Sequence, residues 1–376
     1  MYSMKNKLLI ISIVLMWSCS SNPKIDNDIS QFTVIQKPEL SYRVNNLPKS
    51  IKVYYFQEES YEGLPSEIEG FLVNSYFYQS NLSYRPNIEI HKLDNRDCNL
   101  SNDTKGLVIL FNISFQNDLN KLECIKKFSK SNTFYISNSF NLGFNNNFIV
   151  DQTTEKQILI SRIPDNLKKF VFFDTEIQGD EASMELLKEA KKEVIIQSTY
   201  STKQNTQNLM SEILLSDRSN ERKRKLSRRL SKTLAGDPRT REDIDSFFLS
   251  VNVEEARIIK PALDFISEKD FDVYILNNWR KDIAYELADK DLIGTINSDL
   301  PIMMPIILPK HIPSEKRSRR FGIGYDTFEI VLLRYGAVNT RNYLYKGLTG
   351  KIDVNRSGVR RSAYVFKLIE DGIDIL

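Results

Sequence analysis

From Ile51 onward the apolar positions fall into short runs separated by longer amphipathic stretches. "IKVYYF" (Ile51–Phe56), "IEIHKL" (Ile88–Leu93), "GLVILFN" (Gly106–Asn112) and "TFYI" (Thr133–Ile136) have the length and the β-branched and aromatic content of strands. Between them, "PSEIEGFLVNSYFYQS" from Pro65 predicts an amphipathic helix, and a second helix is expected from about Phe115 to Phe128. The rhythm resumes with the buried strand "KKFVFFDT" (Lys168–Thr175), a helix from about Asp180 to Lys191, and the strand "EVIIQS". Strands alternating with helices of about ten or more residues predict an α/β fold of parallel sheets built from βαβ units.

The next unit carries more detail. "IDSFFLSV" (Ile244–Val251) is apolar without alternation, as expected of a strand covered on both faces. Asn252 is placed to cap the helix that follows, and Glu255 three residues on completes a capping box. Ala256, Ile259, Leu263 and Ile266 then share one helical face. Pro261 lies two turns into that helix, where it removes a hydrogen bond and crowds the carbonyl of Arg257, at a cost of about 3 kcal/mol and a kink. "DVYIL" (Asp272–Leu276) is the next parallel strand. Nearer the end, "RRFGIGYDTFEIVLLRYGAV" (Arg319–Val338) predicts one long helix. "TGKIDV" and "RRSAYVFKLI" predict a hairpin around "NRSG", with Gly358 at a left-handed position.

Composition narrows the class. The 376 residues are 41% hydrophobic and 11% aromatic, enough for a core, and the net charge of +3 gives no bulk attraction to nucleic acid. The first residues change the picture more. Lys5 and Lys7 precede about ten apolar residues from Leu8, too few for the roughly 20 of a membrane span and in the order of a secretory signal. "LMWSCSS" resembles a bacterial lipobox, which makes Cys19 the candidate lipidation site; an ordinary signal peptide with an incidental cysteine is the alternative. Ser20 and Ser21, in place of an aspartate, fit sorting to the outer membrane in that pattern. We therefore expect a signal peptide at 1–18 and a polar tether at 19–49, which at full stretch reaches about 100 Å. A first α/β lobe is expected at 50–165 plus about 305–345, and a second at 166–300 plus 346–376. In an oxidising periplasm Cys98 and Cys124 are open to pairing as a disulfide or to standing as two buried thiols.

A search for chemistry returns little. His91 falls inside an expected strand and His311 in a proline-flanked loop, and no His–Cys group has metal-ligand spacing, so neither a metal nor another cofactor is expected. "GIG" at Gly322 lies within a helix and lacks the third glycine of a dinucleotide loop. The acid pairs Asp243/Asp245 and Glu254/Glu255 sit at element ends, where solvated charge is ordinary. The most charged stretch is "RSNERKRKLSRRLSK" (Arg218–Lys232), with eight basic residues and one acid. Leu226 and Leu230, four apart, give this helix an apolar stripe opposite a basic face. It reads as a solvated surface helix, or as a contact for an anionic surface made by Arg222, Lys223, Arg224, Arg228 and Arg229: lipid head groups, an acidic polymer or an acidic protein patch.

These residues together have a family look. "TREDIDSFFLSVNVEEARIIKPALDF", "DVYILNNW", "FGIGYDTFEIVLLRY" and "YKGLTGKIDVNRSGVRRSAYVFKLIEDG" resemble, in order, the carboxy-terminal domain of the LppC (LpoA-type) lipoproteins, activators of a class A penicillin-binding protein. The resemblance is specific from about Lys168 to the end. It implies a type I periplasmic-binding-protein-like fold, with two parallel-sheet lobes, crossovers between them and a C-terminal β-hairpin. It also implies a non-enzymatic outer-membrane lipoprotein on the periplasmic face, whose partners are a class A peptidoglycan synthase, the membrane that holds its lipid, and peptidoglycan. The alternative on the same fold is a solute-binding receptor for amino acids or muropeptides, although the first lobe lacks a glycine- and serine-rich loop after "LVILFN". A hydrolase would need a nucleophile and base that the sequence does not offer. Members of the family carry a helical-repeat domain ahead of this one, whereas here a short polar segment precedes lobes of roughly 50 Å diameter.

Overall fold

Apolar runs with no polar alternation can be buried only between two layers, and that is where they lie. A computed structural model describes residues 47–56, 63–79, 85–93, 106–112, 128, 133–137, 146–175, 180–234, 239–279, 281–287, 289–336, 342–355 and 357–376. Cys19, Cys98, Cys124 and nearly all of the helix expected at Phe115–Phe128 fall outside the described residues. Both lobes belong to the compact unit Val34–Leu376.

The first lobe is built on a five-stranded parallel sheet: β1 (Ser50–Phe56), β2 (Asn87–Leu93), β3 (Leu107–Asn112), β4 (Thr133–Ser137) and β5 (Asn147–Ile149), in the order β2-β1-β3-β4-β5. Val53 pairs with Ile90 on one side and Ile109 on the other. Odd positions of β1 and β3 (Ile51, Val53, Ile109, Phe111) enter the main core of this lobe, while Tyr54, Val108 and Leu110 face a smaller cluster around Phe128. The helix α1 (Ser66–Gln79) joins β1 to β2 and covers the main core.

The second sheet follows α2 (Thr153–Ser161). It contains β6 (Lys169–Thr175), β7 (Glu193–Tyr200), β8 (Ser246–Leu249), β9 (Asp272–Leu276) and β10 (Ile296–Asp299), all parallel, with α3 (Glu181–Glu189), α4 (Thr206–Ile213), α5 (Ser216–Leu230) and α6 (Val253–Ile266) in the connections. One face packs Val171, Phe247, Val273 and Phe366 against α4 and α6, and the other packs Phe172, Phe248, Tyr274 and Val365 against α2 and α3. The capping box on α6 is present in both halves: Glu255 N–H donates to Asn252, and Asn252 N–H donates to Glu255. The helix runs on through Pro261. The turn that loses its bond to that proline is pinned from the side, since Arg257 makes a bidentate pair with Asp289, Nε to Oδ1 at 2.7 Å and Nη2 to Oδ2 at 2.9 Å.

The C-terminal third departs from the expected plan in three ways. First, α7 (Arg319–Val331) ends in a π-helical turn at Leu332–Gly336. Second, "RRSAYVFKLI" is two strands, not one. β13 (Gly358–Ser362) forms the expected hairpin with β12 (Gly350–Asn355) beside β11 (Tyr343–Gly347); after Ala363 the chain enters the other lobe as β14 (Tyr364–Ile369), antiparallel to β10, and closes with β15 (Gly372–Ile375). Third, packing divides the chain at places other than near 165 and 345. Leu159 and Ile160 of α2 join the second sheet's core, whereas Tyr345, Leu348, Ile352 and Val354 join the first lobe's. The apolar pattern marks these segments as buried but does not say against which sheet.

The "GIG" glycines have a packing role. A Cβ on Gly324 would lie 1.7 Å from the carbonyl oxygen of Glu67, and one on Gly70 would lie 2.1 Å from that of Phe321. α1 and α7 therefore cross backbone to backbone, each through a glycine of the other. Beside the crossing, Glu329 of α7 accepts from the Tyr78 hydroxyl at 2.6 Å, and Asn74 donates to the Tyr325 carbonyl at 2.8 Å.

Candidate interaction surface and the interlobe junction

The expected basic helix is α5. It begins after Leu215 and ends at Ser231, both with left-handed backbone (φ 56° and 49°), so the chain turns sharply at each end. The returning segment lies along one face of the helix: Arg239 N–H donates to Ser219 Oγ at 2.9 Å, and Leu234 N–H to Ser227 Oγ at 3.3 Å. Serines rather than leucines hold the inner face. Leu226 is 45% exposed and Leu230 61%, and only Ser216 of the helix is fully buried.

The five candidate residues also do not share one side. At about 100° per residue, Arg222 and Arg229, with Arg218, flank the two leucines. Lys223 is half-buried at the edge of the inner face, and Arg224 and Arg228 lie on the far side with Asp217 and Glu221. On that far side Glu221 pairs with Lys225 at 2.6 Å.

The acid pairs and histidines weighed for chemistry have structural partners. Asp243 is held by Arg241, which drives its carboxyl down to about 2; Asp245 accepts from the backbone of Lys168 and Lys169, which also lowers it. Glu254 faces Lys281 at 3.3 Å, and Glu255 caps α6. His91 stacks on Tyr54, and His311 stacks on Phe77 with Nε2 2.8 Å from the Tyr325 hydroxyl. Among the described residues no group of His, Cys, Asp and Glu could hold a metal ion, and no helix is long and apolar enough to cross a membrane.

What the sequence did not single out is the charge buried where the lobes meet. Arg319, at the start of α7, is 2% exposed and makes a bidentate pair with the fully buried Asp299 at the end of β10; it also donates to the Lys281 carbonyl at 2.7 Å. Arg361 of β13 pairs through both terminal nitrogens with Glu155 of α2, both buried, and donates to the carbonyls of Asp151 and Thr349. Burial pushes the Glu155 carboxyl up, and Arg361 pulls it back. These pairs sit at the passages between lobes, where polar backbone must leave one core for the other. No local spacing pairs residues so far apart in the chain.

A third buried carboxyl, Asp326 of α7, accepts from Leu348 N–H at 3.0 Å and from Thr349 N–H and Oγ at 2.7 and 2.6 Å. Burial raises it to about 7, against the lowering effect of those three donors. An acid with a folded pKa above its unfolded value near 3.9 favours the folded state at low pH and loses that contribution as pH rises toward 7. Unfolding titrations should therefore show wild-type stability falling between about pH 4 and pH 7. Asp326→Asn should flatten that slope while lowering stability at acid pH by about 1–3 kcal/mol, because an amide N–H would oppose one of the donors. An unchanged slope would rule this assignment out.

A family profile described as "LppC putative lipoprotein" matches residues 182–360. Among solved structures the chain is similar to full-length LpoA from Haemophilus influenzae, with a TM-score of 0.56 at 10% identity over 90% of this chain, and it spans 60% of that protein's length. It is also similar to the LpoA (YraM) C-domain from the same organism, described as a regulator of PBP1A, with a TM-score of 0.53 at 10% identity, covering 87% of this chain and 99% of that domain. No curated protein sequence matches the chain. Residues 182–360 thus match the LppC profile, and the chain has the two-sheet α/β fold of the LpoA C-domain.

Proposed function

We propose that this protein is a non-enzymatic regulator that binds a class A penicillin-binding protein and changes its rate of peptidoglycan synthesis. The observation that carries the reading is the family match over 182–360 on a fold shared with a PBP1A regulator's C-domain. The architecture supports it. Buried ion pairs at Arg319–Asp299 and Arg361–Glu155 fasten the lobes at their crossings, which suits a platform presenting a fixed surface. Lipid attachment at Cys19 and a place on the periplasmic face of the outer membrane belong to the same proposal; Cys19→Ser should abolish palmitate incorporation.

The test is surface binding of the chain to the class A synthases of its own genome, followed by glycan polymerisation and crosslinking assays. Micromolar or tighter binding with at least a twofold change in either rate is expected. Absence of both would overturn the proposal. One feature favours the receptor alternative: among the described residues, Asp174 Oδ1 and Thr175 Oγ1, at the carboxyl end of β6, are buried without a hydrogen-bond partner. They lie at the reversal of strand order between β6 and β8, where open α/β sheets bind ligands. A thermal shift with amino acids or muropeptides of about 2.7 kcal/mol at 100 times the Kd, together with no synthase binding, would transfer the function to that cleft.

A further inference from the structure

We infer that α5 is a membrane-docking helix whose Leu226 and Leu230 enter an anionic phospholipid surface while Arg218, Arg222 and Arg229 engage its phosphates. The inference is independent of synthase binding.

Three observations carry it. The first is exposure: two leucines one turn apart are 45% and 61% exposed, on the stripe that begins with Ser219, whose hydroxyl accepts Arg239 N–H from the returning chain. The second is the charge beside them. The flank of the leucines carries Arg218, Arg222 and Arg229 with no acid, while the helix's acids, Asp217 and Glu221, lie on the far side. Apolar side chains bordered by guanidinium groups form the two-part surface of a helix lying in a lipid interface, with its apolar residues at the headgroup boundary and its cations among the phosphates.

The third observation separates lipid from an acidic protein patch. Tight protein recognition depends on anchors fixed in well-packed, desolvated positions. Apart from Ser216, α5 has no fully buried residue, and Arg218, Arg222 and Arg229 are exposed. A fluid anionic surface needs only charge and exposed apolar groups, which is what this projecting helix supplies. Each basic residue near such a surface contributes about a fivefold gain in partitioning. Because the helix is about 10 Å across and charge is screened over about 10 Å, the far-side Arg224 and Arg228 should contribute less.

The test uses the full chain with Leu226→Cys carrying an environment-sensitive fluorophore, in a background of Cys19→Ser, Cys98→Ser and Cys124→Ser. It is mixed with vesicles of phosphatidylcholine alone or of phosphatidylcholine with phosphatidylglycerol. With Cys19 replaced there is neither a lipid anchor nor a second thiol to take the fluorophore, so the label reports α5 alone. A blue shift and intensity rise are expected only with the anionic vesicles and should be reversed by high salt. Arg222→Gln with Arg229→Gln should raise the lipid needed for half the signal about thirtyfold, and Arg224→Gln with Arg228→Gln only a few-fold. Since all these positions are exposed, the variants should melt like wild type. The proposal is overturned by no shift on anionic vesicles, by an equal shift on neutral ones, or by equal losses from the two double variants. A shift with polyglutamate but not with vesicles would also overturn it and assign the helix to an acidic protein.

Discussion

Gly324→Ala should be among the most damaging single-methyl changes in this protein. The new Cβ would fall 1.7 Å from the Glu67 carbonyl oxygen, 2.6 Å from its carbon and 2.9 Å from its Cα. All three are backbone atoms in the first turn of α1, so no rotamer change can make room. The helices must separate, which also disturbs Asn74, Tyr78 and Glu329 beside the crossing. Alanine is intrinsically the better helix residue by about 1 kcal/mol, yet we expect a net loss of about 4 kcal/mol or more, read as a fall in Tm of roughly 8 °C or beyond. Gly322→Ala is the internal comparison, because it has the same propensity gain on the same helix. Its Cβ would meet the Ile302 Cγ2 at 3.1 Å, a side-chain methyl that can move. Its effect should stay within about 1 kcal/mol. Equal effects from the two variants would show that close approach of the helices is not what these glycines provide.

The second large effect is expected at the passage between lobes. Arg361→Met would leave Glu155 buried without its guanidinium and would also remove a donor from the Asp151 and Thr349 carbonyls. Breaking a buried pair from one side costs about 3–5 kcal/mol. Because burial already raises the Glu155 carboxyl, the orphaned acid should take up a proton, and the penalty should shrink as pH falls. The double variant Glu155→Leu with Arg361→Met should regain most of the loss, since an apolar pair of similar volume is often as stable as the ions it replaces. Denaturant unfolding of the two singles and the double would measure the coupling. Additive losses would mean that the two side chains act separately.

The alternation of strands and helices was readable because each strand is covered on both faces, which leaves unbroken apolar runs such as "FVFF" and "LVIL". The α6 cap was readable because it depends only on Asn252 and Glu255, three residues apart. The fate of "RRSAYVFKLI" was not. Both halves are strand-like, and the switch of sheets at Ala363 depends on β10 offering a free edge far away in the chain. The basic helix was legible as a helix, but its exposure was not: the returning chain bonds the hydroxyls of Ser219 and Ser227 and leaves Leu226 and Leu230 largely exposed. The buried pairs at the lobe junction were invisible for the same reason as β14. Their partners meet only after both lobes have formed.

The place of β14 and β15 has a consequence for how the molecule is made. The second sheet starts at Lys169, yet its β10 edge stays open until residues 364–375 arrive, after the chain has gone back to finish its other half. A polypeptide emerging amino end first must hold a nearly complete sheet with a bare, sticky border until residues 364–375 are released. Termination ahead of residue 364 would leave that border to pair with neighbouring molecules.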